Sequence, residues 1–505
     1  MTKDPFAQVN PSSPDAGVVG RTFKDSTLPK RHWTTAPKGA PNVVVVILDD
    51  VGFGAATTFG GLIPTPALDA LAHDGLRYNR FHTAAMCSPT RASLLTGRDP
   101  HAVGWGVVSE LSTNYDGYIG MIPRNAATMA EVLKDNGYST SAWGKWHNTP
   151  VWETSVNGPF QNWPTGYGFE HFYGFMGGAM DQYEPELFRD TTPVNPSPSD
   201  KPGYYLNEDL TTQTISWMQR QKSVQPDKPF FVYYAPGGTH SPLQAPKRWI
   251  EQFKGKFDQG WDVAREQIFK RQKELGIIPA DTELTPRSAE LPAWDSLSED
   301  QKKINARLME TYAGFLANTD HQVGRLVTSL KQMNQYDNTL FVYIVGDNGA
   351  SGEGGLQGAY HDIDRFNGVE ADKQWVLKHL DEIGGPSTSS HYPAAWAWAM
   401  NTPFQWMKQM ASHLGGVRNP MVVSWPAKIS QPGGLRSQFI HVADLMPTVL
   451  EAVGVAAPQI LQGVPQQSID GKSFLSSLND ANAPSSNQEQ IFEMLGNRAM
   501  YQMAG

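Results

Sequence analysis

Cysteine is almost missing from this chain: Cys87 is the only one among 505 residues. A lone cysteine forms no internal disulfide, so the fold rests on packing and is compatible with a reducing compartment. Long apolar runs are missing as well. No stretch of about 18 apolar residues is available to span a bilayer, and the opening MTKDPFAQVNPSSP has no apolar core of the kind a secretory leader needs. A soluble, cytoplasmic protein is expected. Charge is sparse, at 18% of residues, and 41 basic against 50 acidic side chains leave a net charge of −9. That balance argues against nucleic acid or an anionic membrane as partner. Internal repeats and heptads are absent too, which sets aside solenoids and coiled coils.

Apolar and aromatic residues are plentiful, with 15 Trp, 17 Tyr and 22 Phe. At this length a large α/β unit or two unequal domains is expected. Residues 1–40 are polar and rich in Pro, Ser and Thr, as a surface arm would be. From residue 41 a regular alternation begins. Val43 to Leu48 is a continuous β-branched run, the pattern of a strand buried on both faces. A helix through Leu68, Leu71 and Ala72 stops near Gly75, and a strand follows over Leu76 to Phe81. A helix through Met129, Val132 and Leu133 leads past Gly137 to a strand ending near Trp143. KPFFVYYAPGGTH gives another strand. A long amphipathic helix carrying Leu308, Tyr312, Phe315, Leu316, Val323 and Leu326 precedes the strand of NTLFVYIVGDNG. MVVSW and ADLMPTVLEAVGV read as the last strand–helix repeat. The alternation predicts an α/β fold, a large mostly parallel sheet sandwiched between helices, with ligands outside the carboxyl ends of its strands. Two stretches look irregular, 191–203 and the Gly-rich, aromatic 349–404.

The chemistry-bearing residues collect at those strand ends. Asp49 and Asp50 follow the first strand, and Asp347 and Asn348 follow a later one. Together they make an all-oxygen set suited to a hard cation such as Ca²⁺ or Mg²⁺, although either pair alone is as well explained as a helix cap or a solvated turn. Cys87 begins CSPTRASLLTGR, where Pro89 suits the first turn of a helix and places the thiol near positive backbone dipoles. Arg91 lies one turn further on. Lys145 and His147 alternate in GKWH and in extended backbone point to one side. His240 ends another strand, and Lys408 lies beyond the aromatic loop. Around an acidic metal cluster, these cations and imidazoles would clamp a small tetrahedral anion and protonate a leaving oxygen. Trp143, Trp146, Trp396 and Trp398 would line an apolar leaving-group site or belong to the core.

With Cys87, Pro89 and Arg91 in a Cys-x-Pro-x-Arg motif ahead of the TGR at 96–98, the sequence resembles the sulfatases of the arylsulfatase type, in the alkaline-phosphatase superfamily. ILDDVGFG, WGKWH, the TH at 239–240, GDNGA and KQMASHLGGVRNP follow in the family's order, so the resemblance runs from about residue 40 to about 455. It implies a catalytic domain over 41–455 and a small C-terminal subdomain beginning at 456–505, apparently incomplete, with QIFEMLGNRAMYQMAG as its first strand. It also implies hydrolysis of aryl or similar organic sulfates through a gem-diol of formylglycine, which a maturation enzyme makes from Cys87. Asp49, Asp50, Asp347 and Asn348 would bind the divalent cation, and Arg91 would anchor the gem-diol. Lys145 and Lys408 would hold sulfate, with His413 as the substitute for Lys408. His147 would assist release of sulfate and His240 would serve as general acid. Three alternatives stay open: the same site acting on phosphonate monoesters or phosphodiesters, an inactive binding relative that keeps a thiol at Cys87, and a cysteine hydrolase with a Cys-His pair.

Overall fold

A computed structural model describes residues 16–30, 33–196, 203–369 and 371–502. Parts of four expected segments lie outside the described residues: 1–15 and 31–32 of the arm, 197–202 of the Pro/Ser loop, 370 of the stretch 349–404, and 503–505 of the C-terminal stretch. Eleven strands form one sheet: β1 (Asn42–Ile47), β2 (Leu76–His82), β3 (Ser139–Lys145), β4 (His171–Phe175), β5 (Leu187–Arg189), β6 (Thr192–Val194), β7 (Phe230–Ala235), β8 (Thr339–Ile344), β9 (Arg418–Ser424), β10 (Leu435–Arg436) and β11 (Ile440–His441). Across the sheet the order is β10, β2, β9, β8, β1, β7, β3, β4, β5, β6, with β11 beside β2. The run β8–β1–β7–β3–β4 is parallel, with Val45 opposite both Val342 and Tyr233 and Ala142 opposite Tyr233 on its other side.

Every residue of β1, β7 and β8 is buried, which is why their sequences show no alternation of polar and apolar residues. The period of two is still there, divided between two cores. Val44, Val46 and Leu48 pack on one face with Met309, Tyr312, Phe315 and Leu316 of the 34-residue helix Glu299–Gln332. Val43, Val45 and Ile47 pack on the other with Met129, Val132 and Leu133 of helix Met129–Asp135 and Val449 of helix Leu445–Val453. Among the described residues no helix is long and apolar enough to cross a membrane.

The structure corrects three expectations. MVVSW belongs to β9, which runs antiparallel to both β2 and β8, so it does not close a final parallel repeat. A buried apolar run has no direction written in it. The irregular stretch 349–404 contains helices Asp362–Phe366, Lys373–Lys378 and Ala394–Met400, the last wholly buried. The C-terminal stretch holds two strands where one was expected: β14 (Glu489–Met494) pairs antiparallel with β15 (Asn497–Gln502), after the small pair β12 (Ile460–Leu461) and β13 (Val464–Pro465). Leu495 and Gly496 turn this hairpin with φ of 50° and 81°, the left-handed pair that a two-residue turn requires.

Beyond β8 the chain packs against the short helix Leu414–Val417 that leads into β9. Gly349 donates to the Gly416 carbonyl at 3.1 Å, and a Cβ at Gly349 would lie 1.7 Å from the Gly415 carbonyl oxygen. Substituting Gly349→Ala is therefore expected to lower the urea midpoint, by a stability loss of about 1–3 kcal/mol for overpacking, with equilibrium unfolding followed by tryptophan fluorescence as the check.

Candidate active site

Four parallel strands release their chains at one edge of the sheet, and each delivers charged or metal-binding groups there. β1 is followed by Asp49 and Asp50, β8 by Asp347 and Asn348, β7 by His240, and β3 ends on Lys145, two residues before His147. Helix Cys87–Thr96 meets them end-on. All ten of its residues are buried, and it starts at Cys87 itself, with Met86 as the extended N-cap residue.

Asp49 is the hub. Its Oδ2 accepts from Lys145 Nζ at 2.5 Å and from Arg91 Nη2 at 3.4 Å. Arg91 also places Nε and Nη2 on Asp347 Oδ2, at 3.0 and 2.7 Å, and Nη1 on the Tyr233 hydroxyl at 3.3 Å. The hydrogen bonds of this guanidinium therefore go to the carboxylates and the tyrosine. Asn348 Nδ2 donates to Asp50 Oδ1 at 2.6 Å, and Lys408 Nζ donates to Asp50 Oδ2 at 3.1 Å. Burial pushes all three carboxyls up, and the surroundings decide the outcome. Lys145, His240 and Arg91 hold Asp49 far below the usual range, whereas Asp50 and Asp347 are left at about 7, each facing neighbouring carboxylates as well as cations.

Asp49 Oδ1, Asp347 Oδ1 and Asn348 Oδ1 are buried with no hydrogen-bond partner among the described residues. Buried acceptors left this way are costly unless a cation or water meets them. Three such oxygens, with Asp50 beside them, fit a divalent ion. Asp49, Asp50 and His240 form the group whose ligand atoms lie within 4.8 Å of one another, so the imidazole stands at the edge of the same site.

On the other side, Cys87 Sγ lies 3.2 Å from His147 Nδ1, and His147 Nε2 lies 2.9 and 3.0 Å from the Glu110 carboxylate. Burial raises the thiol's pKa, but Lys145 and His147 bring it below its ordinary value. His147 shifts the other way: burial disfavours the imidazolium, and Cys87 and Glu110 raise its pKa in spite of that. GKWH is not fully extended, since Gly144 and His147 take φ of 93° and 56°. Both Lys145 and His147 nevertheless face the site. At the far side Lys408 Nζ lies 3.2 Å from His240 Nε2 and 2.9 Å from Glu353 Oε2. His240 Nδ1 is engaged by the Ser241 carbonyl at 2.7 Å, and burial, with Lys408 and Lys145 nearby, pushes the imidazole down to about 4.

The structure brings together Cys87, Arg91, Lys145, His147, His240, Lys408, Asp49, Asp50, Asp347 and Asn348. His413, the substitute for Lys408, makes its contacts elsewhere, with Ser412 Oγ and the Trp406 ring. Trp143, Trp146, Trp396 and Trp398 are buried in the two large cores. Three participants escaped the sequence reading: Glu110, Glu353 and Tyr233. Tyr233 is hidden inside an apolar strand and Glu110 in an unremarkable VVSEL. Only Glu353, six residues past Asp347 in the same loop, carried a signal in its position.

The Sulfatase family model matches residues 41–455. An arylsulfatase of Klebsiella aerogenes is 33% identical over 430 residues, covering 83% of this chain and 88% of that protein. The crystal structure of Ps i-CgsB in complex with k-i-k-neocarrahexaose superimposes with a TM-score of 0.60 at 23% identity, covering 92% of this chain and 82% of that one. A phosphonate monoester hydrolase from Silicibacter pomeroyi gives a TM-score of 0.53 at 21% identity, covering 90% and 79%. These two structural likenesses speak to the fold.

The Glu110–His147 contact predicts an acid-side stability effect. Burial raises the Glu110 carboxyl, yet its hydrogen bond to His147 and the imidazolium charge bring it from 4.5 down to about 2. A depressed carboxyl stabilises the fold above its unfolded pKa and loses that contribution as pH falls through the folded one. Wild type is expected to exceed Glu110→Gln in urea midpoint above about pH 4.5, and the gap should close as pH falls toward about 2. A gap that does not change with pH would show that the carboxylate's charge plays no part.

Proposed function

The chain belongs to the sulfatase family and is a sulfuric ester hydrolase, and we propose that the cluster around Cys87 and Asp49 is the site where it cleaves aryl or similarly sized organic sulfates. One observation carries this reading. Three buried side-chain oxygens without donors, on Asp49, Asp347 and Asn348, stand among the cations that also surround the chain's single cysteine.

Net charge supports a monoanionic substrate. With a divalent cation bound, so that Asp50 and Asp347 are ionised, four carboxylates, Asp49, Asp50, Asp347 and Glu353, face the three cations Arg91, Lys145 and Lys408. A divalent cation reverses that single excess negative charge, and a sulfate monoester, with one negative charge, then neutralises the site. A phosphate monoester dianion would overshoot, whereas phosphonate monoesters and phosphodiesters match the same balance.

The family implies a divalent metal and a formylglycine derived from cysteine. Asp49, Asp50, Asp347 and Asn348 would hold the metal, a hard ion such as Ca²⁺ or Mg²⁺, which polarises ester oxygens when bound. Formylglycine at position 87 would supply the nucleophilic hydroxyl that a thiol lacks. Cys87 is 2% exposed in the fold, so the formylglycine-generating enzyme that is its partner would act before folding is complete.

The remaining roles belong to the chain's own side chains. Lys145 and Lys408 both act on Asp49 and Cys87 and would hold the sulfate oxygens. His147 Nδ1, in contact with position 87, would, as the neutral imidazole, take the proton given up there when sulfate is released. Lys408 Nζ and His240 Nε2 face each other at 3.2 Å. His240 Nδ1 donates to the Ser241 carbonyl, so in the neutral imidazole Nε2 accepts from Lys408 Nζ; His240 would serve as general acid once the bound ester's charge brings a proton to Nε2. Arg91 meets Asp347 and Asp49 with one guanidinium and so lowers the cost of burying both.

The test uses protein produced with and without a formylglycine-generating enzyme. Converted protein should turn over 4-nitrophenyl sulfate, and Cys87→Ala should lose at least about 10³-fold in kcat. Mass spectrometry of the Cys87 peptide reports conversion, and active protein carrying only thiol would sink the nucleophile assignment. A preference in kcat/KM for a matched phosphonate monoester would move the substrate class to phosphorus. Chelation should abolish turnover and Ca²⁺ or Mg²⁺ restore it, with elemental analysis of the untreated protein identifying the ion.

A further inference from the structure

Two carboxylates that the chemistry above does not use as ligands, Glu110 and Glu353, are the most exposed members of the site, one bound to His147 and the other to Lys408. Side-chain exposure marks the direction of the mouth. It is 0% at Asp49, 2% at Asp50, 3% at Lys408 and 4% at His147, then 15% at His240, 29% at Glu353 and 51% at Glu110. Glu353 thus lies on the solvent side of Lys408 and His240, and Glu110 on the solvent side of His147 and position 87.

Neither is a loose surface group. Glu353 Oε2 accepts from Lys408 Nζ at 2.9 Å and from Ser351 Oγ at 2.9 Å, while Oε1 accepts from Gln409 Nε2 at 2.9 Å. Glu110 is held by both contacts to His147 and by Ser109 Oγ at 2.9 Å. Both carboxyls are shifted down and stay ionised, because Lys408 faces the one and His147 the other.

A site that must admit an anion gains nothing in affinity from acidic groups at its entrance. Their effect falls on what is attached to the anion. The sulfate passes inward to cations that compensate it, whereas the leaving group stays at the level of the two glutamates. We propose that Glu110 and Glu353 make the mouth a charge filter, so that the ester admitted carries its sulfate as the sole anionic group on an uncharged or cationic leaving group. The proposal rests on the reading of the site as the place of sulfate ester cleavage and narrows its substrate class. A carboxylate or second sulfate on the leaving group would meet two fixed negative charges in partly desolvated surroundings, where repulsion exceeds its value in bulk water. An ammonium or hydroxyl group there would meet acceptors already held in place.

The experiment compares three aryl sulfates in the converted, metal-loaded enzyme: 4-nitrophenyl sulfate and its ring-substituted analogues bearing a carboxylate or a trimethylammonium group. The quantity read is the ratio of kcat/KM for the carboxylate ester to that for the parent. Differences in leaving-group reactivity cancel when this ratio is compared between wild type, Glu353→Gln and Glu110→Gln. Each substitution should raise the ratio about fivefold, the size expected of one partly screened charge, and lower the corresponding ratio for the trimethylammonium ester. Ratios unchanged within about twofold in both variants would overturn the filter. Wild type supplies an independent reading if a variant does not fold. Raising the salt to about 0.5 M shortens the screening length to a few Å and should lift the carboxylate ratio, and indifference to salt would count against the proposal. If none of the three esters is hydrolysed, the sulfatase reading of this site fails by itself. The filter is then read from their dissociation constants by calorimetry, where equal affinities would refute it.

Discussion

The interaction on which the rest depends is the burial of Asp49 between Lys145 and Arg91. An ionised carboxylate with no exposure is tolerated only when its charge is met at contact distance, and Lys145 meets it at 2.5 Å and Arg91 at 3.4 Å. Each partner comes from a different element: Asp49 follows β1, Lys145 ends β3, and Arg91 lies on the helix begun by Cys87. The ion pairs therefore fix the relative positions of three elements at once. Arg91 extends the set to β8 through Asp347. Removing any one member leaves an uncompensated charge behind, so the cluster is retained or lost nearly as a unit. Stability alone would favour apolar residues here. The charges stay at a cost that packing must offset, which the two cores on either side of β1 are large enough to do.

The cluster's incompleteness is as informative as its pairing. Asp50 and Asp347 are pushed up to about 7 because burial and neighbouring carboxylates outweigh the cations near them. Oxygens on Asp49, Asp347 and Asn348 lack donors. Both facts describe one deficit of positive charge. The backbone around it is unusually constrained. Tyr312, from the long helix, donates to the Val51 carbonyl at 2.5 Å, and Asn401 Oδ1 accepts from the Ala350 amide at 2.9 Å. Loops that carry the candidate ligands are thereby tied to the core behind them, which limits how far their oxygens can move apart.

What the sequence made legible were features whose meaning is local. Val43–Leu48 and its counterparts announced buried strands, and the acidic pairs announced themselves by following those strands. Pro89 located the helix start at Cys87. Direction was not legible, because a run such as MVVSW is equally apolar read either way, and β9 proved antiparallel. Nor was the bend in GKWH, where left-handed backbone at His147 has no residue signature of its own. Glu110 and Glu353 escaped for a third reason. Each acquires its role only from a partner distant in sequence, His147 or Lys408, and a loop glutamate with an unknown partner looks like a solvated charge. The four tryptophans illustrate the converse: aromatic density near a motif suggested a binding surface, and packing absorbed all of it.

The surroundings of Cys87 bear on why a cysteine at this place would be converted at all. Burial raises the thiol's pKa, but Lys145 and His147 bring it below its ordinary value. A thiolate is a negative charge held by the same Lys145 that is proposed to receive sulfate. It would oppose the monoanionic ester twice, by occupying a cation the substrate needs and by repelling the incoming charge. It would also place a soft ligand beside an all-oxygen set of hard ones. Conversion to formylglycine removes that charge as well as the sulfur. The modification is then an electrostatic change as well as a chemical one: with residue 87 neutral, Lys145 has no thiolate to meet and its charge is left for one sulfate.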